Sequence, residues 1–353
     1  MAGIEEEAEE GGEERAAEQT GAIRTLAMAS GFSRARFLAA RGTATAFLVV
    51  ALPYGNDDPD ARLPRATEPS AEPACPARIA AFARRNYYAE AVARLKAVVA
   101  ELRLRFGGSK GDYRILCNSS VPEKPLALAA GIGAAGRNSL IITPEAGSLV
   151  VLAALSLPFP VQADKPLGRS VCGSCTACVD ACPTGALAPE DSFDRSRCIQ
   201  WYASGNGEPS AEVVVRWGQR LYGCSVCQDV CPYNHRPIPG TATERGALPP
   251  AFDARDLVAA SDEEIRKLFR GSAMGMAWLG AAAIRKNAER ALAAALAPAA
   301  LALPPAMAPA AAPAAAAPAA AAPAAAPAAA APAAPAAAPS ATGGSPDHPS
   351  RYP

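Results

Sequence analysis

The chain has 353 residues, enough for two compact units, and its 34 Lys and Arg balance its 34 Asp and Glu. Two apolar runs, 44–52 and 149–157, are too short to cross a bilayer as helices and are typical of buried strands. We also recognise no signal peptide, so we expect neither secretion nor a membrane span. We therefore expect a cytoplasmic location, where thiols stay reduced, and no membrane partner.

The two ends of the chain differ in composition from the middle. Residues 1–20 hold eight Glu and one Arg, which predicts a disordered acidic arm. Residues 298–353 are almost entirely Ala and Pro, and closely spaced prolines predict an extended, disordered tail. The body between them carries about +7, which permits contact with an RNA backbone without requiring it.

Apolar periodicity predicts mixed helices and strands in the first part of the body. In chain order, we expect a helix over 22–29, a strand over 43–53, a loop over 54–76, a helix over 77–106, a strand over 114–117 and a helix over 125–130. A hairpin is then expected from strands over 139–143 and 148–155. This mixture predicts an α/β or α+β domain over residues 21–165.

The glycine-rich run 131–138 has the spacing of a dinucleotide-binding loop. A Rossmann fingerprint follows a strand and opens a helix, whereas this run follows a predicted helix and opens a predicted strand. The glycines instead indicate close backbone approach, either to a bulky ligand or to a neighbouring strand.

Eight of the ten cysteines lie between residues 172 and 231. They form Cys-x2-Cys-x2-Cys-x3-Cys-Pro from Cys172, a lone Cys198, and Cys-x2-Cys-x3-Cys-Pro from Cys224. Such spacing is typical of two 4Fe-4S clusters, because three close thiolates hold three corners of a cubane and the cysteine before proline reaches the other cluster. Neither zinc sites nor disulfides explain the third cysteine at x2 spacing and the repeated Cys-Pro endings.

The second cysteine run lacks its first member, since Leu221 stands three residues before Cys224. Cys198 is the substitute that completes eight ligands, and we expect a double 4Fe-4S, ferredoxin-like module over residues 166–240. The crossing of Cys182 and Cys231 between the clusters is inferred from the double-cluster pattern. One cluster is assigned to Cys172, Cys175, Cys178 and Cys231, and the other to Cys182, Cys198, Cys224 and Cys227.

After the cysteines, the sequence predicts a short helical segment over residues 241–297. Ser261 and Glu264 form a capping box that opens a helix through Phe269. A second helix is expected over 274–296, and the pair is too small to fold alone.

Several separate stretches together resemble the epoxyqueuosine reductases of tRNA queuosine synthesis and their shorter relatives. The most specific stretch is the cysteine pattern itself, including the lone Cys198, which an ordinary ferredoxin lacks. The resemblance covers most of residues 22–296. Its other parts are 122–127, the glycine-rich run with the strand 139–143 and Gly147-Ser148, and the downstream stretches 269–273 and 285–288.

The resemblance implies an N-terminal cobalamin-type domain followed by the double-cluster module. It implies a base-off cobalamin over the glycine-rich run, reduced by the nearer cluster, and reduction of epoxyqueuosine in tRNA to queuosine. A flavodoxin or ferredoxin system would supply the electrons. The corrin contacts implied are Gly131, Gly133, Gly136, Arg137, Asn138 and Ser148.

The chain departs from the family pattern at the expected proton donor. The resemblance implies an aspartate at the end of the strand before the Glu123-Lys124 motif, but Cys117, Asn118 and Ser119 occupy that region. Asn118 has no acidic proton, and Cys117 is better interpreted as a buried structural thiol. Two further readings therefore stay open: a ferredoxin-like electron-transfer protein without reductase activity, and a related reductase with another substrate.

Overall fold

The computed structural model describes residues 2–39, 46–55, 74–168, 170–188, 192–235 and 243–297. The predicted tail and most of the predicted loop over 54–76 lie outside the described residues. Within them, no helix combines the length and the apolar composition that crossing a membrane requires.

Strands and helices alternate irregularly along the described residues. The strands are β1 (Arg34–Leu38), β2 (Ala46–Pro53), β3 (Pro76–Ile79), β4 (Ile115–Leu116), β5 (Ala134–Ala135), β6 (Ile141–Ile142), β7 (Val150–Leu157), β8 (Arg220–Tyr222) and β9 (Ala251–Asp253). The helices are α1 (Ala2–Ala29), α2 (Tyr87–Phe106), α3 (Glu123–Ala130), α4 (Ala177–Asp180), α5 (Ile199–Ala203), α6 (Ala211–Val215), α7 (Val226–Asp229), α8 (Ala254–Ala259), α9 (Asp262–Leu268) and α10 (Ala281–Leu296).

The largest sheet has the order β1-β2-β7-β4, and every pair in it is antiparallel. Leu48, Val50 and Leu52 of β2 face a core shared with α1 and α2. Val49 and Ala51 face the opposite core, shared with α3. Helices thus cover both faces, which explains why β2 and β7 are apolar at nearly every position. An antiparallel sheet with separate helices makes this part of the chain α+β.

A second sheet combines strands from the predicted segments 21–165, 166–240 and 241–297. β3 lies between β8, which is parallel to it, and β9, which is antiparallel. The core beside this sheet combines Ile79 with Leu221, Leu257 and Ile284. The cysteine-rich region and the C-terminal helices are therefore built onto the first part of the chain through shared hydrogen bonds and a shared core.

The N-terminal helix α1 differs from the disordered arm predicted for residues 1–20. Glu and Ala, both strong helix formers, make up most of its first part. Its C-terminal end is anchored, since Ile23 and Ala27 are fully buried and the backbone N–H of Gln162 donates to Thr20 Oγ1 at 2.9 Å. Tertiary packing at one end stabilises a helix that composition already favours.

Two predicted helices begin later in the structure than the apolar pattern indicated. The helix predicted from residue 77 begins at Tyr87, because residues 76–79 pair as β3 with distant strands. The helix predicted from residue 274 begins at Ala281, after a short 3-10 turn over Ala273–Gly275. The helices at 125–130 and after Ser261 are confirmed, the latter with its capping box.

The predicted hairpin of 139–143 with 148–155 is wrong in its pairing. β6 pairs with β5 of the glycine-rich run, and only the Thr143–Gly147 bridge links it toward β7. β7 pairs with β2 and β4. The long apolar strand β7 buries more apolar surface in the centre of the four-stranded sheet than it would beside the two-residue strand β6.

Asn86 fixes the start of α2 and ties it to the C-terminal segment. Its side chain accepts from the Ala89 N–H at 3.0 Å and donates to the Gly271 carbonyl at 2.9 Å, with only 4% of the residue exposed. We expect Asn86→Ala to lower the free energy of unfolding by about 2 kcal/mol, the sum of a lost cap and a lost buried hydrogen bond. Asn86→Ser, which keeps a capping oxygen, should lose about half as much. Thermal midpoints measured anaerobically at one scan rate test this, and equal midpoints for both variants would contradict it.

Candidate functional site

The two cysteine runs fold into matching short helices that pack against each other. α4 carries Cys178 and α7 carries Cys227, and the two helices are in contact. Each helix has an equivalent hydrogen bond from a hydroxyl before its first residue to an aspartate four residues later. Thr176 Oγ1 donates to Asp180 Oδ2 at 2.8 Å, and Ser225 Oγ donates to Asp229 Oδ2 at 3.0 Å. The two runs therefore form an approximate structural repeat.

The thiols near Cys178 come from both cysteine runs. Burial, together with the neighbouring thiols Cys172, Cys231 and Cys175, raises the pKa of Cys178 to about 11. Burial likewise raises the pKa of Cys231, with Cys172 and Cys175 adding to the effect. We call Cys172, Cys175, Cys178 and Cys231 the first thiol group.

The remaining four thiols influence one another in the same way. Burial raises the pKa of Cys198, and Cys224 and Cys182 add to it. Burial raises the pKa of Cys227 well above its usual range, with Cys224 and Cys198 as the strongest thiol neighbours. We call Cys182, Cys198, Cys224 and Cys227 the second thiol group. The two groups have the same members as the two ligand sets assigned from the cysteine pattern, and the ligation itself, with its crossing, stays a prediction.

No three His, Cys, Asp or Glu side chains in the described part of the chain converge closely enough to hold a single metal ion. A cubane cluster does not need such convergence, because each thiolate binds a separate iron corner. Sulfur atoms in both groups also accept backbone hydrogen bonds. The Arg137 N–H donates to Cys172 Sγ at 3.4 Å, and the Ala186 N–H donates to Cys182 Sγ at 3.3 Å. Hydrogen bonds of this kind help to set the reduction potential of a cluster.

A cavity of about 300 Å³ lies against the second thiol group, a size typical of small-ligand sites. Its four thiols all line the cavity, so a cluster held by them would occupy part of this space. Much of the remaining lining is apolar and forms an apolar wall. That wall includes Leu140, Ile141, Val150, Val151 and Leu152.

Among the residues predicted to contact a corrin, Asn138 and Ser148 line the cavity. Gly131, Gly133, Gly136 and Arg137 do not line it. The Arg137 guanidinium instead donates to the Cys175 carbonyl at 2.8 Å, beside the first thiol group.

Crowding by protein atoms explains the glycines. A Cβ on Gly131 would lie 2.3 Å from the Lys165 carbonyl oxygen, and one on Gly133 would lie 2.5 Å from that of Ile142. At Gly133 this geometry favours the second of the two interpretations, close approach to a neighbouring strand, because Ile142 belongs to β6; Gly131 instead approaches the backbone of Lys165, outside the strands.

The residues in the region of the expected proton donor separate in space. Cys117 lies outside the cavity, with its Sγ 3.9 Å from the carbonyl oxygens of Tyr88 and Leu152, and burial raises its pKa to about 12. Asn118 lines the cavity with a left-handed backbone φ of 51°. Its buried Nδ2 has no hydrogen-bond partner, and the same is true of Asn138 Nδ2. Unpaired buried donors are costly, so a ligand with acceptor oxygens would relieve both.

Glu123 and Lys124 also line the cavity, although the sequence patterns assigned no role to either residue. Among the described lining residues, Glu123 is the one carboxylic acid. Lys124 Nζ donates to the Ser139 carbonyl at 2.9 Å, and burial lowers its pKa while Cys198 and Cys227 raise it. The motif around both residues was visible in the sequence, but its position beside the second thiol group was not.

A buried polar network joins the sheet to the cysteine-rich region behind the cavity. The Ser148 N–H donates to Asn234 Oδ1 at 2.7 Å, and Asn234 Nδ2 donates to the Gln228 carbonyl at 2.8 Å. Gln228 Nε2 donates to Tyr54 Oη at 2.8 Å. Ser148 therefore has a structural role in addition to lining the cavity.

Two groups of four thiols are typical of an iron–sulfur protein, and residues 171–234 match the family model of a 4Fe-4S double cluster binding domain. The prediction of two 4Fe-4S clusters is confirmed. The particular relatives are epoxyqueuosine reductases. The enzyme of Bacillus subtilis (strain 168) is 38% identical over 179 residues, which cover 48% of this chain and 44% of that protein.

Solved structures agree with the sequence comparison. A selenomethionine-labelled epoxyqueuosine reductase superposes with a TM-score of 0.67 at 25% identity, covering 79% of this chain and 82% of that chain. An epoxyqueuosine reductase bound to an epoxyqueuosine-modified tRNA-Tyr stem loop superposes with a TM-score of 0.64 at the same identity and coverage. The resemblance to epoxyqueuosine reductases is confirmed. The chain spans less than half the length of the curated relatives that it matches.

Proposed function

We propose that the protein is a cobalamin- and 4Fe-4S-dependent reductase that converts epoxyqueuosine in tRNA to queuosine in the cytoplasm. The observation that carries the proposal is the cavity whose lining includes all four thiols of the second group together with Asn118, Glu123 and Asn138. A redox centre there would face a pocket with polar groups for binding and proton transfer. The likeness to epoxyqueuosine reductases supplies the substrate.

The positions of the two thiol groups suggest the direction of electron flow. Cys175 of the first group is exposed, whereas the second group lines the cavity. Cys178 is among the thiols that raise the pKa of Cys227, so the two groups are neighbours. Electrons from a flavodoxin or ferredoxin would enter at the first cluster and reach the cavity through the second. In this arrangement the segment over 21–165 provides the pocket, 166–240 the relay and 241–297 the support.

The lining residues fit a corrinoid by the chemistry of their donors. The unpaired amides of Asn118 and Asn138 suit the amide oxygens of a corrin, and the apolar wall suits its macrocycle. The described residues that line the cavity include no histidine, in agreement with a base-off form. When bound, cobalamin would supply a cobalt centre that takes low-potential electrons singly and acts on the substrate carbon. The chain itself would bind and orient the substrate, exclude water and deliver protons.

Anaerobic purification with corrinoid supplied tests the proposal. We expect about eight irons per chain, from two four-iron clusters, and about one corrinoid. The protein should then convert epoxyqueuosine to queuosine in a tRNA stem loop with a low-potential reductant. Cys75→Ala, outside both thiol groups, is the matched control and should keep all three properties. A preparation with full iron and sulfide that refuses corrinoid and leaves the substrate unchanged would instead identify an electron-transfer protein.

A further inference from the structure

The proposed reduction needs an acid beside the oxygen that leaves the substrate, and we propose that Glu123 is this acid. The inference rests on the proposed function. Converting an epoxide to an alkene breaks both carbon–oxygen bonds, forms the carbon–carbon double bond and releases the oxygen as water. The reaction consumes two electrons, relayed by the clusters from the low-potential donor, and two protons. Glu123 gives one proton to the oxygen as it leaves and becomes a carboxylate, while solvent supplies the second proton and reprotonates Glu123.

The position of Glu123 carries the assignment. It is the first residue of α3 and the one carboxylic acid among the described residues that line the cavity. Its Oε1 accepts from the Ser119 N–H at 3.2 Å, which places the carboxyl beside the loop that holds Asn118. The resemblance implies an aspartate in the loop that holds Asn118. The Glu123 carboxyl lies beside this same loop, although Glu123 itself belongs to the following helix, α3.

The surroundings of Glu123 favour a carboxyl that keeps its proton. Burial raises its pKa, outweighing backbone hydrogen bonds at residues 118, 119 and 123 that lower it. Behind it, the Cys117 thiol stays neutral, since burial raises its pKa to about 12. The Lys124 ammonium is engaged by the Ser139 carbonyl. The other titratable groups that line the cavity are Tyr54, Tyr88 and the four thiols of the second group.

Asn118 and Tyr54, which also line the cavity, are less suited to donate this proton. Asn118 has only an amide, which is no acid in this pH range. Tyr54 is buried, its pKa is raised far above neutrality, and its hydroxyl is bonded to Gln228. An acid transfers a proton more effectively as its pKa approaches the working pH, and burial shifts the pKa of Glu123 in that direction.

Glu123→Gln removes the acidic proton but keeps the structural hydrogen bond, because the amide oxygen can still accept from the Ser119 N–H. We expect kcat for the epoxyqueuosine stem loop to fall about 10²- to 10⁴-fold with a small change in KM. Wild-type activity should decline as pH rises through the raised pKa of Glu123, since the protonated form is lost, and the residual activity of Glu123→Gln should lack this decline. Glu101→Gln, on a side chain 47% exposed in α2, is the matched control.

Two further measurements complete the test. Asn118→Asp added to Glu123→Gln returns a carboxyl to the same loop and should recover kcat at least tenfold. Infrared difference spectra recorded across a pH range above that of ordinary carboxyls should show a protonated carboxyl component in wild-type protein that is missing from Glu123→Gln, whether or not substrate is present. Iron and corrinoid contents must be equal in all variants.

The outcomes separate this inference from the proposed function. If fully loaded wild-type protein leaves epoxyqueuosine unchanged, the proposed function fails and the role of Glu123 with it. If wild type converts the substrate and Glu123→Gln does so at the same rate and with the same pH profile, only the role of Glu123 is overturned.

Discussion

Removing Cys175 and Cys231 together (Cys175→Ala/Cys231→Ala) is expected to leave about half of the iron, although the two residues lie in different cysteine runs. Removing Cys178 and Cys182 together, from a single run, is expected to leave almost none. The reason is the crossing of the last cysteine of each run. Cys175 and Cys231 belong to the first thiol group, whereas Cys178 and Cys182 belong to different groups.

Each double variant lacks two thiolates, so the comparison is matched in chemistry. A cubane that has lost two of four protein ligands should not persist, whereas the other cluster keeps all of its ligands. Iron and sulfide analysis with electron paramagnetic resonance of the reduced protein measures the outcome. Cys75→Ala/Cys117→Ala removes the two cysteines outside both groups and should retain all the iron. The reverse order of the two double variants would show that the clusters do not exchange cysteines.

Asn234→Ala is expected to cause a large loss of stability. Asn234 is 4% exposed, and its side chain connects the Ser148 N–H, the Ser148 hydroxyl and the Gln228 carbonyl. Alanine would leave these groups buried without partners, at about 1–3 kcal/mol each before relaxation. We expect a total of about 3–5 kcal/mol, which lowers Tm by roughly 10 °C in a body of this size.

The matched control for Asn234 is Asn206→Ala. Asn206 is only half-buried, and its side chain makes a single hydrogen bond, to the Trp201 carbonyl at 2.9 Å. A loss of about 1 kcal/mol is expected there. Calorimetry of cluster-loaded protein under anaerobic conditions at one scan rate measures both. Similar midpoints for the two variants would contradict a special role for the network behind the cavity.

The sequence predicted the large elements best where local composition and tertiary packing agree. β2 and β7 are apolar throughout because helices cover both faces of their sheet, so the apolar runs marked them directly. The pair Ser261 and Glu264 likewise encodes its helix start in four residues. The cysteine spacing was equally informative, since ligation demands fixed intervals.

Elements that depend on distant partners were not predictable in this way. β3 has apolar residues that also suit a helix, and it becomes a strand only because β8 and β9 pair with it. The cavity likewise depends on residues that are far apart in the sequence. Glu123 and the second thiol group come from separate parts of the chain, and no local pattern records that they meet. The predicted disordered arm is instead part of helix α1, because Glu and Ala have high helix propensity although Glu also adds charge.

The three-stranded sheet sets the order in which the protein can mature. β3 emerges early in synthesis, yet both of its neighbours, β8 and β9, follow more than a hundred residues later. Pairing across such sequence distances is slow. The stretch between β3 and β8 carries Cys182 and Cys198, and Cys224 and Cys227 follow β8 directly, so the four thiols of the second group are all present only when β8 has also been made. A nascent chain arrested before Arg220 should therefore acquire no stable second cluster.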